Sequence, residues 1–307
     1  MRIFRNFDEA SGLKNPVVTT GSFDGVHIGH KTIINRLRML AEKHDGESVL
    51  ITFYPHPRKV LYPETAGKEL RLINSQEEKL MLLEKALVDN VIIVEFTREF
   101  SKITSEEFVR DFLAGKLRAR VIVAGFNHHF GFNKEGDYKQ LWGWREKYNF
   151  DAEEIPEQEV QHETVSSSRI RKAISEGYIQ RANAYLDHCY LILGYLTPEI
   201  SLTSLTGLLF YTIPVTDENK LLPSEGVYAV TVETSSSAMK GMVVIIADTG
   251  NLNKVLLHIP SDQKRGSGEK VTLLFRKKIT GPVDISESSK AIARLNSSLE
   301  EITDLIY

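Results

Sequence analysis

Two histidines three residues apart, His27 and His30, stand among glycines at Gly21, Gly25 and Gly29. Imidazoles at that spacing share one face of a helix and can both donate to a single anionic group. Glycines beside them let a chain of phosphates approach the backbone closely. A second cluster is Val165-Ser166-Ser167-Ser168-Arg169-Ile170-Arg171. Serines at a helix start cap free N–H groups. Arginines close to that positive end are unfavourable for the helix dipole unless an anion compensates them. Both clusters point to the handling of phosphate groups.

The elements that must position these residues follow from hydrophobic patterning. Val17 and Val18 open a buried strand, the glycines at 21 and 25 break it, and Ile33, Ile34, Leu37 and Leu40 mark an amphipathic helix. His27, Gly29 and His30 thus fall at the start of that helix, where N–H groups lack partners and the dipole is positive. Further buried strands are expected at 47–54, 89–96 and 120–125, alternating with helices at 75–87 and 105–114. The helix at 75–87 opens on a capping box, Ser75 with Glu78. Such alternation implies an α/β domain with a doubly wound parallel sheet, whose ligands bind beyond the carboxyl ends of the strands. Pro55-His56-Pro57 ends the second strand there, and Gly125 to Gly131 follows the fourth. Phe130 is suited equally to lying against a flat ligand and to filling the core. Trp142 and Trp144 are expected to pack. A zinc site at His128-His129 is disfavoured, because neighbouring side chains point apart and no companion ligands are clustered nearby.

Composition limits the partners. The chain has 307 residues, 42% hydrophobic and 26% charged, with a net charge of −3 from 38 basic and 41 acidic residues. That balance argues against broad binding to nucleic acid or a membrane surface, so phosphate affinity must be local. One cysteine, Cys189 among apolar neighbours, excludes an internal disulfide and fits a packed thiol in a reducing compartment. With no apolar leader and no run long enough to span a membrane, a cytoplasmic protein is expected.

The pattern Gly21-x-Phe23-Asp24-Gly25-x-His27-x-Gly29-His30, with Thr52-Phe53-x-Pro55-His56-Pro57, resembles the bacterial bifunctional riboflavin kinase/FMN adenylyltransferase (FAD synthetase) family. The resemblance implies FMN adenylyltransferase activity, the transfer of AMP from ATP to FMN giving FAD and pyrophosphate, without a covalent intermediate. It implies catalytic roles for His27 and His30 at the ATP phosphates, with Gly21, Phe23 and Gly29 in the ATP site. Ser166, Ser167 and Arg171 match the family's counterpart across the ATP phosphates and are expected to hold the pyrophosphate that leaves. His56, Pro57, Asn127 and Phe130 fall to the flavin side, with Asn127 facing the FMN phosphate or the metal. ATP, FMN, FAD and Mg2+ are the implied ligands, magnesium arriving as counter-ion of the triphosphate rather than in a protein metal site. His129 stands where the family has arginine, which exchanges a permanently charged fork for a titratable ring.

From about Tyr195 the texture changes to short alternating segments at 208–213, 226–233, 241–247, 254–259 and 270–275, closed by an amphipathic helix at 286–306. The domains expected are 1–187, the adenylyltransferase, and 188–307, a small all-β barrel with a C-terminal helix. Lys220-Leu221-Leu222-Pro223 and Gly226-Val227-Tyr228-Ala229-Val230 resemble the family's riboflavin kinase domain. Its chemistry does not carry over. The P-T-A-N motif falls on Leu209, Phe210, Tyr211 and Thr212, the glutamate expected to activate riboflavin falls on Leu256, and the glycine-rich stretch is replaced from Gly241 onward. The expectation is a barrel that has lost riboflavin phosphorylation. Three alternatives stay open: the full bifunctional enzyme, an H-x-G-H transferase for another phosphate-bearing acceptor, and a non-catalytic flavin or nucleotide regulator. A homo-oligomer is also open.

Overall fold

The structure is a computed structural model of the 307-residue chain. It describes all residues except 127, 157–158, 161–162, 248–252, 261–264, 285–287 and 306–307. By contacts the chain divides into two compact units, Met1–Leu70 with Lys79–Val165, and Arg71–Glu78 with Ser166–Tyr307.

The first unit is built on a six-stranded sheet, every pair parallel, in the order β1-β4-β3-β2-β5-β6. The strands are β1 (Arg2–Phe4), β2 (Val17–Thr20), β3 (Ser48–Tyr54), β4 (Asn90–Glu95), β5 (Val121–Gly125) and β6 (Asp151–Ile155). Successive side chains leave a strand on opposite faces, and here both faces are covered. Val17, Val121, Val123 and Ile155 pack with Leu37, Leu40 and Ala41 of α1 (Ile28–Lys43) on one side. Val18, Val49, Ile51, Ile92 and Ile122 pack with Phe108, Val109 and Leu113 on the other. That is why the central strands are buried and mostly apolar along their length rather than alternating. The remaining helices of this region are α2 (Pro57–Leu61), α3 (Gln76–Lys85), α4 (Ser105–Glu107, continuing as a π-helical stretch Phe108–Lys116) and α5 (Tyr138–Tyr148). The capping box expected at the start of α3 is formed: Glu78 N–H donates to Ser75 Oγ at 3.2 Å, and Ser75 N–H to Glu78 Oε2 at 2.8 Å. A short antiparallel ribbon, β7 (Glu159–Val160) and β8 (Glu163–Thr164), follows. Trp144 packs against the core, but Trp142 is exposed, with the Arg145 guanidinium 3.6 Å above its ring. A flat cation shields that ring where the apolar core does not reach.

The second unit begins with α6 (Ser167–Ser175) and α7 (Ile179–Leu186). Asn183 of α7 donates to Phe275 O at 2.8 Å and accepts from Tyr190 N–H at 2.7 Å, so these helices cluster with the β-region that follows them. The unit's sheet has seven strands, all antiparallel, in the order β10-β11-β14-β13-β12-β15-β9. They are β9 (Leu191–Tyr195), β10 (Thr197–Glu199), β11 (Phe210–Thr212), β12 (Gly226–Glu233), β13 (Ala238–Ile246), β14 (Lys254–His258) and β15 (Lys270–Thr280). Its two edge strands, β9 and β10, are separated in the chain by Leu196 alone, so the sheet must curl until its edges come together: a half-open barrel. Helices α8 (Ile200–Thr206) and α9 (Ser288–Asp304) place Leu202, Ala291, Leu295 and Ile302 over Phe210, Val227, Met242 and Leu256. The fold is therefore the expected one, a doubly wound parallel-sheet domain and a small all-β barrel with a C-terminal helix.

Candidate active site

The chain leaves β2 at Thr20 and enters α1 at Ile28, and the loop between them is wound tightly. Phe23, Gly25 and Val26 have φ of 48°, 94° and 40°. The left-handed region suits glycine, and it costs a β-branched residue such as Val26 appreciable strain. Burial holds it there, for Phe23, Asp24, Val26 and His27 are all buried. A Cβ at Gly21 would lie 3.2 Å from the Phe23 ring, so glycine is what lets that ring turn inward.

His27 is the N-cap of α1, its Nδ1 accepting from the His30 N–H at 3.4 Å. An Nδ1 that accepts leaves the ring proton on Nε2, which is then a donor. The two imidazoles are stacked, centroids 3.7 Å apart and planes 15° from parallel. Phe23 closes the far side of His30 at 4.8 Å. The Nδ1 of His30 is sealed from solvent and has no hydrogen-bond partner among the described residues. Burial, and then the charges of His27 and Lys79, hold its imidazole well below the usual histidine value. His30 is therefore neutral at pH 7, with one ring nitrogen able to donate a hydrogen bond and the other able to accept one. Gly29 lies in the first turn of α1, which contains no acidic residue.

Beneath this loop lies a residue that the motifs do not announce. Lys79 of α3 is buried, donating to Thr52 Oγ1 at 3.0 Å and Ser22 O at 3.4 Å. Burial pushes its ammonium down to about 8, against the pull of Asp24. In sequence it sits within Glu77-Glu78-Lys79, a run that suggests a solvated helix face. Only the spacing of the apolar residues around it could have hinted otherwise.

Among the residues that the resemblance assigns to the flavin, His56 caps α2, its Nδ1 accepting from Arg58 N–H at 3.2 Å, and Pro57 occupies the first helical position. Both lie just past the carboxyl end of β3. Phe130, equally balanced in sequence, is 9% exposed and packs against Phe108 and the His128 ring. Burial lowers the His128 imidazole to about 4, with the His129 charge adding to the effect. Asn127 lies outside the described residues.

In the second unit, Ser166 caps α6, its Oγ accepting from Arg169 N–H at 3.4 Å. Ser167 opens the helix, and Arg171 stands in its second turn rather than its first; the first turn holds no acidic residue. At the positions onto which the resemblance maps the riboflavin kinase motifs, Phe210 and Leu256 are core residues. The Tyr211 hydroxyl accepts from Arg265 N–H at 2.8 Å, and Thr212 Oγ1 donates to Glu199 at 2.8 Å. Cys189 is half-buried, its thiol pushed up by burial. Among the described residues, no group of three or more His, Cys, Asp or Glu side chains is placed to hold a metal ion, and no helix is long and apolar enough to cross a membrane.

The FAD synthetase family profile matches residues 10–169. The bifunctional riboflavin kinase/FMN adenylyltransferase of Listeria monocytogenes is 31% identical over 231 residues, 75% of this chain and 72% of that one. The protein of that name in Haemophilus influenzae is 26% identical over 288 residues, 92% of each chain. Its counterpart in Escherichia coli K12 is 30% identical over 216 residues, 70% of this chain and 67% of that one. Among solved structures, the crystal structure described as a macrolide-efflux protein from Streptococcus pneumoniae superposes with a TM-score of 0.87 at 22% identity, each chain covered in full. That likeness is one of fold. The profile spans the loop, the histidine pair and the start of α6 together, and this chain belongs to the FAD synthetase family.

Proposed function

We propose that the protein is an FMN adenylyltransferase that makes FAD, and that its barrel no longer phosphorylates riboflavin. An FMN phosphate oxygen attacks the α-phosphorus of ATP, the bond from that phosphorus to the bridging oxygen of the β-phosphate breaks, and pyrophosphate leaves. In such chemistry a protein chiefly positions the reactants and stabilises developing charge. The observation that carries the reading is the stacked histidine pair at the start of α1, with a donor at His27 Nε2 and a neutral His30. Donors held at a helix N-terminus need not reorganise as negative charge grows on the α-phosphate. Gly21 and Phe23 shape the loop, and Gly29, in the first turn of α1, is assigned to the nucleotide on the motif.

Ser166, Ser167 and Arg171 are assigned to the ATP phosphates on the motif and the local geometry of α6 alone. His56, Pro57, Asn127 and Phe130 are assigned to FMN, with Phe130 as a wall behind the ligand rather than a platform beneath it. Magnesium is treated as part of the substrate MgATP, the usual way in which this ion enters a phosphoryl-transfer site. The adenylyltransferase is assigned to residues 1–187 and the silent kinase to 188–307. A buried Leu256 supports the second assignment, because an alkyl side chain cannot accept the proton of the riboflavin hydroxyl. The contents of a reducing cytoplasm suit an enzyme of this kind.

A chromatographic time course with ATP and magnesium, run in parallel on FMN and riboflavin, tests both halves. FAD from FMN and no FMN from riboflavin is the expected result. FAD from riboflavin overturns the silent kinase, and no product from FMN overturns the transferase.

A further inference from the structure

Lys79 has no role in the account above, yet its surroundings are unusual for a lysine. The residue is 7% exposed, and its ammonium bonds two groups of different origin. One is Thr52 Oγ1 near the end of β3, at 3.0 Å; the other is Ser22 O in the loop, at 3.4 Å. Thr52 Oγ1 itself donates to Ser22 O at 3.2 Å, so one loop carbonyl receives two donors. Ser22 begins the strained run through Phe23, Gly25 and Val26 that ends at His27. The charge is balanced by Asp24, buried in the same loop, and it is felt by His30.

A buried ammonium is costly, and a methionine of similar length would fill this space with no desolvation penalty. The tether places the charge under the loop, where a loosened Ser22 would pass its displacement to the residues that follow. A small misplacement of a reacting group can cost two orders of magnitude in rate. An added positive charge in a dry setting also counts most when negative charge grows nearby.

We propose that Lys79 is a positioning residue for adenylyl transfer: held on Thr52 and Ser22, it fixes the loop that presents His27 and His30 and places a buried positive charge beneath that pair. The proposal rests on the FMN adenylyltransferase reading. It assigns Lys79 to the reaction step rather than to the binding of ATP.

The test compares wild type with Lys79→Met, Lys79→Gln and Lys79→Arg, measuring kcat for FAD formation, the Kd for ATP by titration, and the thermal midpoint. Lys79→Met is expected to lose on the order of 10- to 100-fold in kcat while its Kd for ATP changes by less than about three-fold. Lys79→Arg, which keeps charge and donors, should recover most of the loss. If Lys79→Met does not fold, Lys79→Gln carries the same comparison, since it keeps a polar N–H donor, one bond shorter, without the charge. A wild-type kcat in the uncharged variants overturns the proposal. So does a loss of kcat matched by an equal loss of ATP affinity, or an arginine variant no better than the methionine one. A wild-type protein that makes no FAD at all fails at the earlier step and removes the functional reading itself.

Discussion

The Lys220 ammonium lies 2.6 Å from a carboxylate oxygen of Glu78, with both side chains almost wholly sealed from solvent. The remaining protons of Lys220 go to Ile73 O at 2.7 Å and Leu191 O at 2.8 Å, and the Tyr190 ring lies 4.5 Å away. Glu78 is equally occupied, accepting from Leu193 N–H at 3.0 Å as well as from Ser75 N–H. This pair ties residues 71–78 into the second unit, beside the bridge between Leu72 and Lys220. Removing one partner strands the other charge in a medium that cannot solvate it. Lys220→Met should therefore lower stability by about 3–5 kcal/mol in urea titrations. The double variant Glu78→Gln/Lys220→Met should cost less than the two single losses added together. Strict additivity would show that the two charges do not sense each other.

The histidine pair makes a kinetic prediction. Replacing His27 or His30 by alanine should reduce kcat for FAD formation by roughly 100-fold or more, as for loss of one preorganised donor. His30→Ala also opens the stack that holds the His27 ring, so the double variant should fall little further than either single one. Multiplicative losses would mean that the two rings act independently.

Acid should weaken the first unit by a route that can be traced to two residues. His30 and His128 both have imidazoles held below the ordinary 6.5, His128 at about 4. Each is neutral in the folded protein at a pH where it is protonated when unfolded. As pH falls below 6.5 the unfolded chain binds more protons, so stability is lost. For His128 that loss continues down to about pH 4. His128→Phe should flatten this limb of the stability curve when urea midpoints at pH 7 and pH 5 are compared. An unchanged difference between the two pH values would assign the acid sensitivity elsewhere.

Alkali should act on the reaction through Lys79, whose ammonium titrates at about 8. The groups that bond it or sense its charge are Thr52 of β3, Ser22 and Asp24 of the loop, and His30 of α1. As pH rises the buried charge disappears, so kcat should decline above about pH 8, and Lys79→Arg should extend the plateau to higher pH. The check is a pH–rate profile of both proteins at saturating MgATP and FMN.

Gly25, at φ 94°, should resist substitution more strongly in function than in stability. Gly25→Ala is expected to cost about 1–2 kcal/mol of folding free energy. Its kcat should drop well beyond what the small unfolded fraction explains, because the loop turns there toward His27. A variant with wild-type turnover would show that the loop tolerates a different path.

Local chemistry was legible in the chain itself. His27, His30, Gly21 and Gly25 lie within ten residues, and a strand, a glycine turn and an amphipathic helix are each specified by neighbours. The same holds for the Ser75–Glu78 and Ser166 caps, which the structure forms as written. Apolar runs at β2, β3, β4 and β5 were equally plain, because strands covered on both faces carry few polar positions. The polar edge strand β6 was not, since Asp151-Ala-Glu-Glu-Ile resembles a surface segment until β5 is placed beside it. Nor could the burial of Glu78 and Lys79 be read there: beyond the Ser75 cap, both look like solvated helix charges. Burial is decided by what the rest of the chain brings over a side chain, and the partners here are 142 residues away for Glu78 and 27 for Lys79. The sequence by itself therefore determined the glycine and histidine loop and the two fold classes, which depend on short-range pattern. Tertiary structure alone decided which charges are sealed, which ring faces the core at Phe130, and where the buried ammonium meets the histidine pair.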